Sequence, residues 1–114
     1  MSTRRLDQLL TFLAGSPEDP FILYAIASEY VKLKDQDQAL VYFQKLLEIK
    51  PDYVGAYYHF GRLYESMGEK EQALAIYQQG MSVAKQVQDQ HAWSELYTVY
   101  QSALGIDPED EEAY

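Results

Sequence analysis

Apolar residues recur at steps of three and four along most of the chain, without the strict alternation of apolar and polar residues that marks strands. In residues 21–33 the apolar positions include Leu23, Ile26 and Tyr30, and the polar stretch KDQDQ separates them from a second run that starts at Ala39. Such spacing places apolar side chains on one face of a helix, so it predicts amphipathic helices joined by polar turns. We predict six helices, over residues 3–14, 20–34, 37–49, 54–67, 70–87 and 89–104.

The chain also repeats itself at an offset of thirty-four residues. Identical residues recur at this offset in several registers: Leu6, Leu40 and Leu74; Leu13 and Leu47; Pro17 and Pro51; Tyr24 and Tyr58; Tyr30 and Tyr64. Self-similarity at this period is typical of stacked helical hairpins. Each full period is therefore predicted to form one pair of antiparallel helices.

The two ends of the chain supply incomplete repeats. The first segment has one apolar stripe, of Leu6, Leu9, Leu10 and Leu13, in the register of the second helix of later pairs. The last segment resembles the first helix of a pair, with an opposite face of polar residues that suits a capping helix exposed to water. We expect a half-repeat over 3–19, repeats over 20–53 and 54–87, and a capping helix over 89–104, within one domain of residues 1–106.

The residues at fixed positions of each period resemble the tetratricopeptide repeat, whose pattern is W-x2-L-G-x2-Y, then A-x3-F, then P. The second period matches it with Tyr57, Phe60, Gly61, Tyr64, Ala73 and Tyr77, and the first with Leu23, Ile26, Ala27, Tyr30, Ala39, Phe43 and Pro51. Three positions depart from the pattern, since Gly80 replaces an alanine, Lys85 replaces the closing proline, and Leu23 replaces the first aromatic residue. The resemblance implies an all-α fold, a right-handed superhelical array of antiparallel helix pairs.

One small residue, Gly61, lies in the middle of a predicted helix, where glycine costs about 1 kcal/mol relative to alanine. We expect Gly61 and Ala73 to face each other where the two helices of a pair cross, because small side chains let two helix backbones approach. The residues predicted to serve packing in this way are Ala27, Tyr30, Ala39, Gly61, Tyr64 and Ala73.

Composition is ordinary for one globular domain, with 114 residues of which 47% are hydrophobic and 24% charged. There is no cysteine, and no apolar run approaches the length that spans a membrane. Polar residues such as Asp7 interrupt any signal-peptide core, so we expect a cytoplasmic protein that does not contact membranes.

The net charge of −9 is uneven along the chain. The last ten residues hold five acidic residues and no basic one, which leaves −4 for the rest. A binder of nucleic acid needs clustered lysine and arginine, so the charge argues against that class of partner. We expect residues 107–114 to form an acidic disordered tail, with docking to a basic partner as the alternative.

Residues that could carry catalysis are dispersed. His59 and His91 lie far apart without a nearby second ligand at metal-binding spacing, and the glycines form no phosphate-binding loop. We therefore expect no enzymatic activity, no metal and no cofactor.

The resemblance implies a role in recognition, because arrays of this family bind peptides or helices of partner proteins on a concave face lined by the first helix of each unit. The candidates on this face are Phe21, Tyr24, Ser28, Val31 and Lys32 in the first unit and Tyr58, His59, Arg62, Glu65 and Ser66 in the second. We expect Tyr24, Tyr58 and Arg62 to contact a partner polypeptide together.

Two further expectations concern the partner. Some family members clamp a terminal carboxylate with lysine and asparagine, where this chain has Tyr24, Ser28 and His59. We therefore expect an amphipathic or aromatic-containing segment instead. The alternative is that the terminal helices make the chain an oligomerisation element, a weak homo-oligomer with Trp93 at its interface.

Overall fold

The computed structural model describes residues 3–105, which are helical with no strand among them. The helices are α1 (Arg4–Gly15), α2 (Pro20–Lys32), α3 (Gln36–Ile49), α4 (Gly55–Ser66), α5 (Lys70–Gln86) and α6 (Gln90–Leu104). Each predicted bound agrees with the structure to within two residues, and the all-α class is confirmed. The predicted acidic tail lies outside the described residues.

Short polar side chains set where four of the helices begin. Thr3, Asp19, Asp35 and Asp89 each accept a hydrogen bond from a backbone N–H of the first helical turn that follows. These N–H groups have no partner within their own helix, so the caps fix the helix starts. The turns after α2 and α4 use equivalent residues thirty-four apart, Lys34 and Gly68, both with positive φ (61° and 77°). The chain therefore leaves α2 two residues earlier than predicted.

The helices belong to two compact units, Met1–Ala56 and Tyr57–Tyr114. In the first unit α2 packs against both α1 and α3. Its core consists of apolar side chains from the predicted inner stripes: Leu6, Leu13, Leu23, Ile26, Ala27, Ala39, Phe43 and Leu46. The buried stripe of α2 leaves the line through Phe21 and Lys32 at the surface.

In the second unit α5 packs against α6, and its core includes Tyr57, Phe60, Leu63, Ala73, Tyr77, Ala84 and Leu96. Gly61 is a point of close approach in this unit. A Cβ at Gly61 would lie 2.2–2.8 Å from three ring atoms of Tyr77, so this ring takes space directly beside the glycine. Ala73 lies one helical turn before Tyr77 on α5 and is fully buried.

Gly80 is a second close approach in this unit, and its departure from the repeat pattern has a steric cause. A Cβ there would lie 2.5 Å from Cβ of Tyr57 and 3.0 Å from Cδ1 of Leu96. Alanine at this position would collide with α4 and α6 together. Glycine at position 80 therefore allows the backbone of α5 to approach Tyr57 and Leu96 more closely than alanine would.

Candidate functional site

The first candidate surface is the α2 face, which we define as Phe21, Tyr24, Ser28 and Lys32. Phe21 is 70% exposed, and the side chain of Lys32 is 72% exposed. These two residues are eleven positions apart, which is three helical turns, so they lie on the same line along α2. The α2 face therefore has an aromatic end near the start of the helix and a cationic end near its last turn.

Tyr24 connects this face to the core of the first unit. Its ring meets Phe43 edge-on at a centroid distance of 6.4 Å and lies 5.5 Å from the ring of Tyr53, in the segment between α3 and α4. Burial raises the pKa of Tyr24, and the neighbouring phenol of Tyr53 adds to this, while a hydrogen bond with Ser28 opposes it. Tyr24 is thus a held, neutral aromatic side chain rather than a free one.

The cationic end of the α2 face is built around a buried acid that the sequence analysis did not identify. Oε1 of Glu29 accepts a 2.9 Å hydrogen bond from Nε of Arg5 and lies 3.4 Å from Nζ of Lys32. The Glu29 side chain is only 8% exposed, whereas that of Arg5 is 64% exposed. One buried carboxylate therefore fixes two surface cations, one from α1 and one from α2.

The second candidate surface is the α4 face, which we define as Tyr58, His59, Arg62 and Glu65. The structure groups three of them, because positions 58, 62 and 65 share one line of α4. Nη1 of Arg62 lies 3.6 Å from Oε1 of Glu65. The same carboxylate oxygen accepts a hydrogen bond from the buried hydroxyl of Tyr77.

Burial and the contact with Glu65 both act on the pKa of Tyr77. Burial raises the pKa of Tyr77 far above its usual value, and the hydrogen bond and charge of Glu65 raise it further, while Arg62 opposes them. Glu65, expected at the partner surface, is therefore also part of an internal network that orders Arg62.

His59 lies on another side of α4. Its ring meets Tyr58 edge-on at 5.3 Å, while the charge that acts on it comes from Glu95 of α6. Desolvation lowers the pKa of His59, and the Glu95 carboxylate opposes this shift. His59 therefore belongs with the α6 side of the second unit more than with Arg62 and Glu65.

The residues predicted to serve packing are accounted for within each unit. Ala27, Ala39 and Ala73 are fully buried. Tyr30 is half-buried and stacks on Tyr42 at 5.6 Å, and Tyr64 is half-buried and stacks on Phe60 at 5.0 Å. Tyr30 thus packs against a ring of the neighbouring helix α3, whereas Tyr64 stacks on a ring one turn earlier in its own helix, and both keep part of their surface exposed.

A concave site lies at the turn between α5 and α6 of the second unit. This pocket, of about 360 Å³, is lined by Ala84, Lys85, Gln88, Asp89, Gln90 and Trp93. The Trp93 ring lies nearly parallel to that of Tyr97, with 5.1 Å between centroids and an angle of 8°. Tyr97 is 43% exposed, so the predicted capping helix presents aromatic as well as polar surface.

Residues 3–105 contain neither a cluster of metal-ligating side chains nor a membrane-spanning helix. No group of three or more histidine, cysteine, aspartate or glutamate side chains converges there in a way that could hold a metal ion. Over the same residues, none of the helices combines the length and the apolar character needed to cross a membrane.

The fold and the repeat positions agree with a known family. The family model of the tetratricopeptide repeat matches residues 30–98. Comparison with the curated proteins returned no match.

Solved structures give the same result. A tetratricopeptide repeat domain protein from Salinibacter ruber, solved by NMR, is 42% identical, with a TM-score of 0.75 over 81% of this chain and 93% of that one. The protein BPP2914 from Bordetella parapertussis is 20% identical, with a TM-score of 0.79 over 98% and 96%. The TPR2B domain of yeast Sti1, in a complex with pHsp70, is 20% identical, with a TM-score of 0.82 over 90% and 82%.

Proposed function

Because the chain belongs to the tetratricopeptide repeat family, we propose that it is a non-catalytic interaction module that binds a segment of a partner polypeptide on the α2 and α4 faces. The family comprises protein-interaction modules in general, and one solved relative of the fold is in a complex with pHsp70. The binding residues, the non-catalytic role and the cytoplasmic location remain predictions for this chain.

The observation that carries this proposal is the exposed aromatic end of the α2 face. Phe21 keeps 70% of its surface in water, although it directly follows the first residue of a well-packed helix. Tyr24 lies one turn further on and is held in place by two other rings. Rigid aromatic side chains with one exposed side are enriched at protein interfaces, because they bury much apolar area with little loss of conformational freedom.

The α4 face supplies a second set of the same kind. Arg62 has a side chain that is 54% exposed, and its position is restrained by Glu65, which is itself bound to Tyr77. A restrained guanidinium loses less entropy when it meets a backbone carbonyl, a carboxylate or an aromatic ring of a partner. Tyr58, one turn before Arg62, would provide the apolar part of that contact.

The proposal is tested by first capturing a partner from the native host, purifying it and measuring its affinity for this protein by calorimetry. Tyr58→Ala and Arg62→Ala should each weaken binding by about fivefold or more, the usual loss at an interface anchor. Tyr24→Ala also removes contacts with Phe43 and Tyr53, so each variant needs a melting curve. Phe21→Ala has less packing to lose and serves as the second test of the α2 face.

Matched controls remove the same kinds of side chain elsewhere. Tyr97→Ala deletes an exposed aromatic residue of α6, and Lys70→Ala deletes an exposed cation at the start of α5. Neither control should change the affinity by more than about twofold. If the α2 and α4 variants bind normally while changes at Trp93 or in α1 abolish binding, the proposal is wrong.

That outcome would favour the second candidate, self-assembly through the terminal helices. The observation in its favour is exposed apolar surface there, at Phe12 of α1 and at Tyr97 and Leu104 of α6. Against it, Tyr97 occupies the position that Gly61 holds in α4, and its ring would obstruct a close helix crossing in the repeat register. Light scattering during size-exclusion chromatography decides, because a monomer mass independent of concentration contradicts self-assembly.

A further inference from the structure

The α2 face carries a chemical polarity that restricts what can bind it. Phe21 and Lys32 mark its two ends, and with a rise of 1.5 Å per residue they are separated by about 16 Å along the helix. The Phe21 end is aromatic and adjoins the ring of Tyr24, which stands beside that of Tyr53. The Lys32 end carries the paired cations Arg5 and Lys32.

Glu29 neutralises only one of the two positive charges of Arg5 and Lys32. Both cations contact the same carboxylate oxygen of Glu29, and neither Arg5 nor Lys32 forms another ion pair within residues 3–105. Two positive charges and one negative charge leave a net positive charge at the surface. Because Glu29 is buried and both cations are largely exposed, the free donors of Arg5 and Lys32 remain open to a ligand.

Two other acidic residues of this unit, Asp7 and Asp35, act on Tyr30. Both raise the pKa of the Tyr30 hydroxyl, after the larger effects of its burial and of Tyr42. Tyr30 lies about 160° around α2 from Lys32, since successive helical residues turn by about 100°. Tyr30, on which these two acids act, therefore lies on the side of α2 opposite to Lys32.

From this arrangement we infer that the segment bound by the α2 face is acidic at the end over Arg5 and Lys32 and apolar at the end over Phe21 and Tyr24. An extended polypeptide advances about 3.3 Å per residue, so the acidic and apolar side chains would be about five residues apart. The inference rests on the proposed function and adds the chemistry of the partner. Glu29 acts as a positioning residue, because it aims both cations without touching the ligand.

The net charge of the whole protein favours the opposite kind of peptide from the one inferred here. A chain of net charge −9 would attract basic peptides if only overall charge mattered. A preference for an acidic segment must therefore come from the local cation pair. The two explanations predict opposite signs of selectivity.

The test uses synthetic twelve-residue peptides, each with one Leu-Phe pair and two glutamates in a Gly-Ser background, at separations of two, five or eight residues and in both orders. Companion peptides carry lysine in place of glutamate. Titration of the ¹⁵N-labelled protein is followed by NMR, including the Nε–H signal of Arg5. The glutamate peptide with a separation of five should shift this signal and the amides of residues 21–32, with the highest affinity of the set.

Charge variants then identify the source of the selectivity. Lys32→Glu should weaken the glutamate peptide by about tenfold, since attraction becomes repulsion. Lys45→Glu, at an exposed position of α3, changes the net charge equally and should alter binding by less than about twofold. Lys32→Met removes the charge, keeps the aliphatic stem and adds no repulsion to Glu29, so it should weaken the glutamate peptide by less than about tenfold. It replaces Lys32→Glu as the test if Lys32→Glu unfolds the protein.

Three results would overturn the inference: lysine peptides bind α2 as well as glutamate peptides do, Lys45→Glu weakens binding as much as Lys32→Glu, or no glutamate peptide shifts the α2 amides. If peptides bind α2 regardless of their charge, the proposed function survives without this inference. If neither the peptides nor a purified partner perturbs α2 or α4, the proposed function itself fails.

Discussion

Replacing Gly61 by alanine adds a single methyl group at the tightest point in the second unit. The new Cβ would lie 2.2, 2.6 and 2.8 Å from Cε1, Cδ1 and Cζ of Tyr77, whereas carbon atoms normally pack at about 3.5–4.0 Å. The ring would have to retreat by more than about 1 Å. It cannot do so freely, because Tyr77 is fully buried and its hydroxyl is bound to Glu65.

The net effect of Gly61→Ala is the difference between two terms. Overpacking of this severity costs about 3 kcal/mol, the upper end of its usual range. Alanine recovers about 1 kcal/mol, because glycine is a poor helix former. The free energy of unfolding should therefore fall by about 2 kcal/mol, and the melting temperature by roughly 10 °C.

Urea denaturation followed by circular dichroism measures this loss, and Gly15→Ala provides the matched control. Gly15 is helical, and a Cβ added there meets nothing within 4 Å. The same chemical change should therefore leave stability unchanged or raise it by up to about 1 kcal/mol. Opposite signs at the two glycines would identify the steric contact as the cause.

A double-mutant cycle can refute the reasoning directly. Tyr77→Leu removes the ring atoms that the new methyl group would strike. In that background Gly61→Ala should cost at least about 1 kcal/mol less than it does alone. If the cost is unchanged, or if Gly61→Ala is as harmless as Gly15→Ala, Gly61 is not held by its contact with Tyr77.

Two further predictions concern the same unit. Gly80→Ala should cost about 3 kcal/mol in urea melts, because its Cβ would meet Cβ of Tyr57, which no side-chain rotation can move, as well as Leu96; a wild-type midpoint would contradict this. Tyr77→Phe should cost about 1–2 kcal/mol at pH 7 by removing the donor to Glu65. Folding raises the pKa of Tyr77 above its unfolded value of about 10, so its stabilising contribution is complete below pH 10 and falls above it. The difference between wild type and Tyr77→Phe should therefore shrink as the pH rises above about 10, and a constant difference would count against the raised pKa.

The existence and bounds of the helices were predictable because they depend on local features. Apolar residues at helical spacing define the buried stripe, and short polar residues such as Asp19 and Asp89 cap the starts. Gly68 adopts a left-handed conformation after α4, which glycine does without strain. Lys34 adopts the same conformation, which its side chain gave no reason to expect.

The neighbours of each side chain were much less predictable. The ring of Tyr77 lies closest to a Cβ placed at Gly61, and the repeat pattern did not indicate this contact. The repeat pattern predicts that two helices cross at Gly61. It does not say which side chain of the second helix lies closest to the glycine. Gly80, noted only as a departure from the repeat, proved to be as closely packed as Gly61.

The residues of the α2 face were also predictable in part, whereas the contacts that position them were not. Periodicity alone placed Phe21, Tyr24 and Lys32 on one side of α2, because residues three and four apart share a helix face. It gave no sign that Glu29 is buried or that it holds Arg5 from another helix. An exposed acid and a buried acid look alike in a sequence, since burial depends on which helices converge around the residue.

The sequence by itself thus determined the family, the helices and the side of each helix that faces water, because a thirty-four-residue period and helical spacing are properties of the chain read in order. Only the tertiary structure decided that Tyr77 binds Glu65, that Tyr53 supports Tyr24, and that Glu29 joins Arg5 to Lys32. Three of these contacts join different segments of the chain, at separations of 12, 29 and 24 positions, and the fourth, between Glu29 and Lys32, lies within α2. Each depends on side-chain reach and on the desolvation of a polar group, which follow from the packed helices and not from the local pattern.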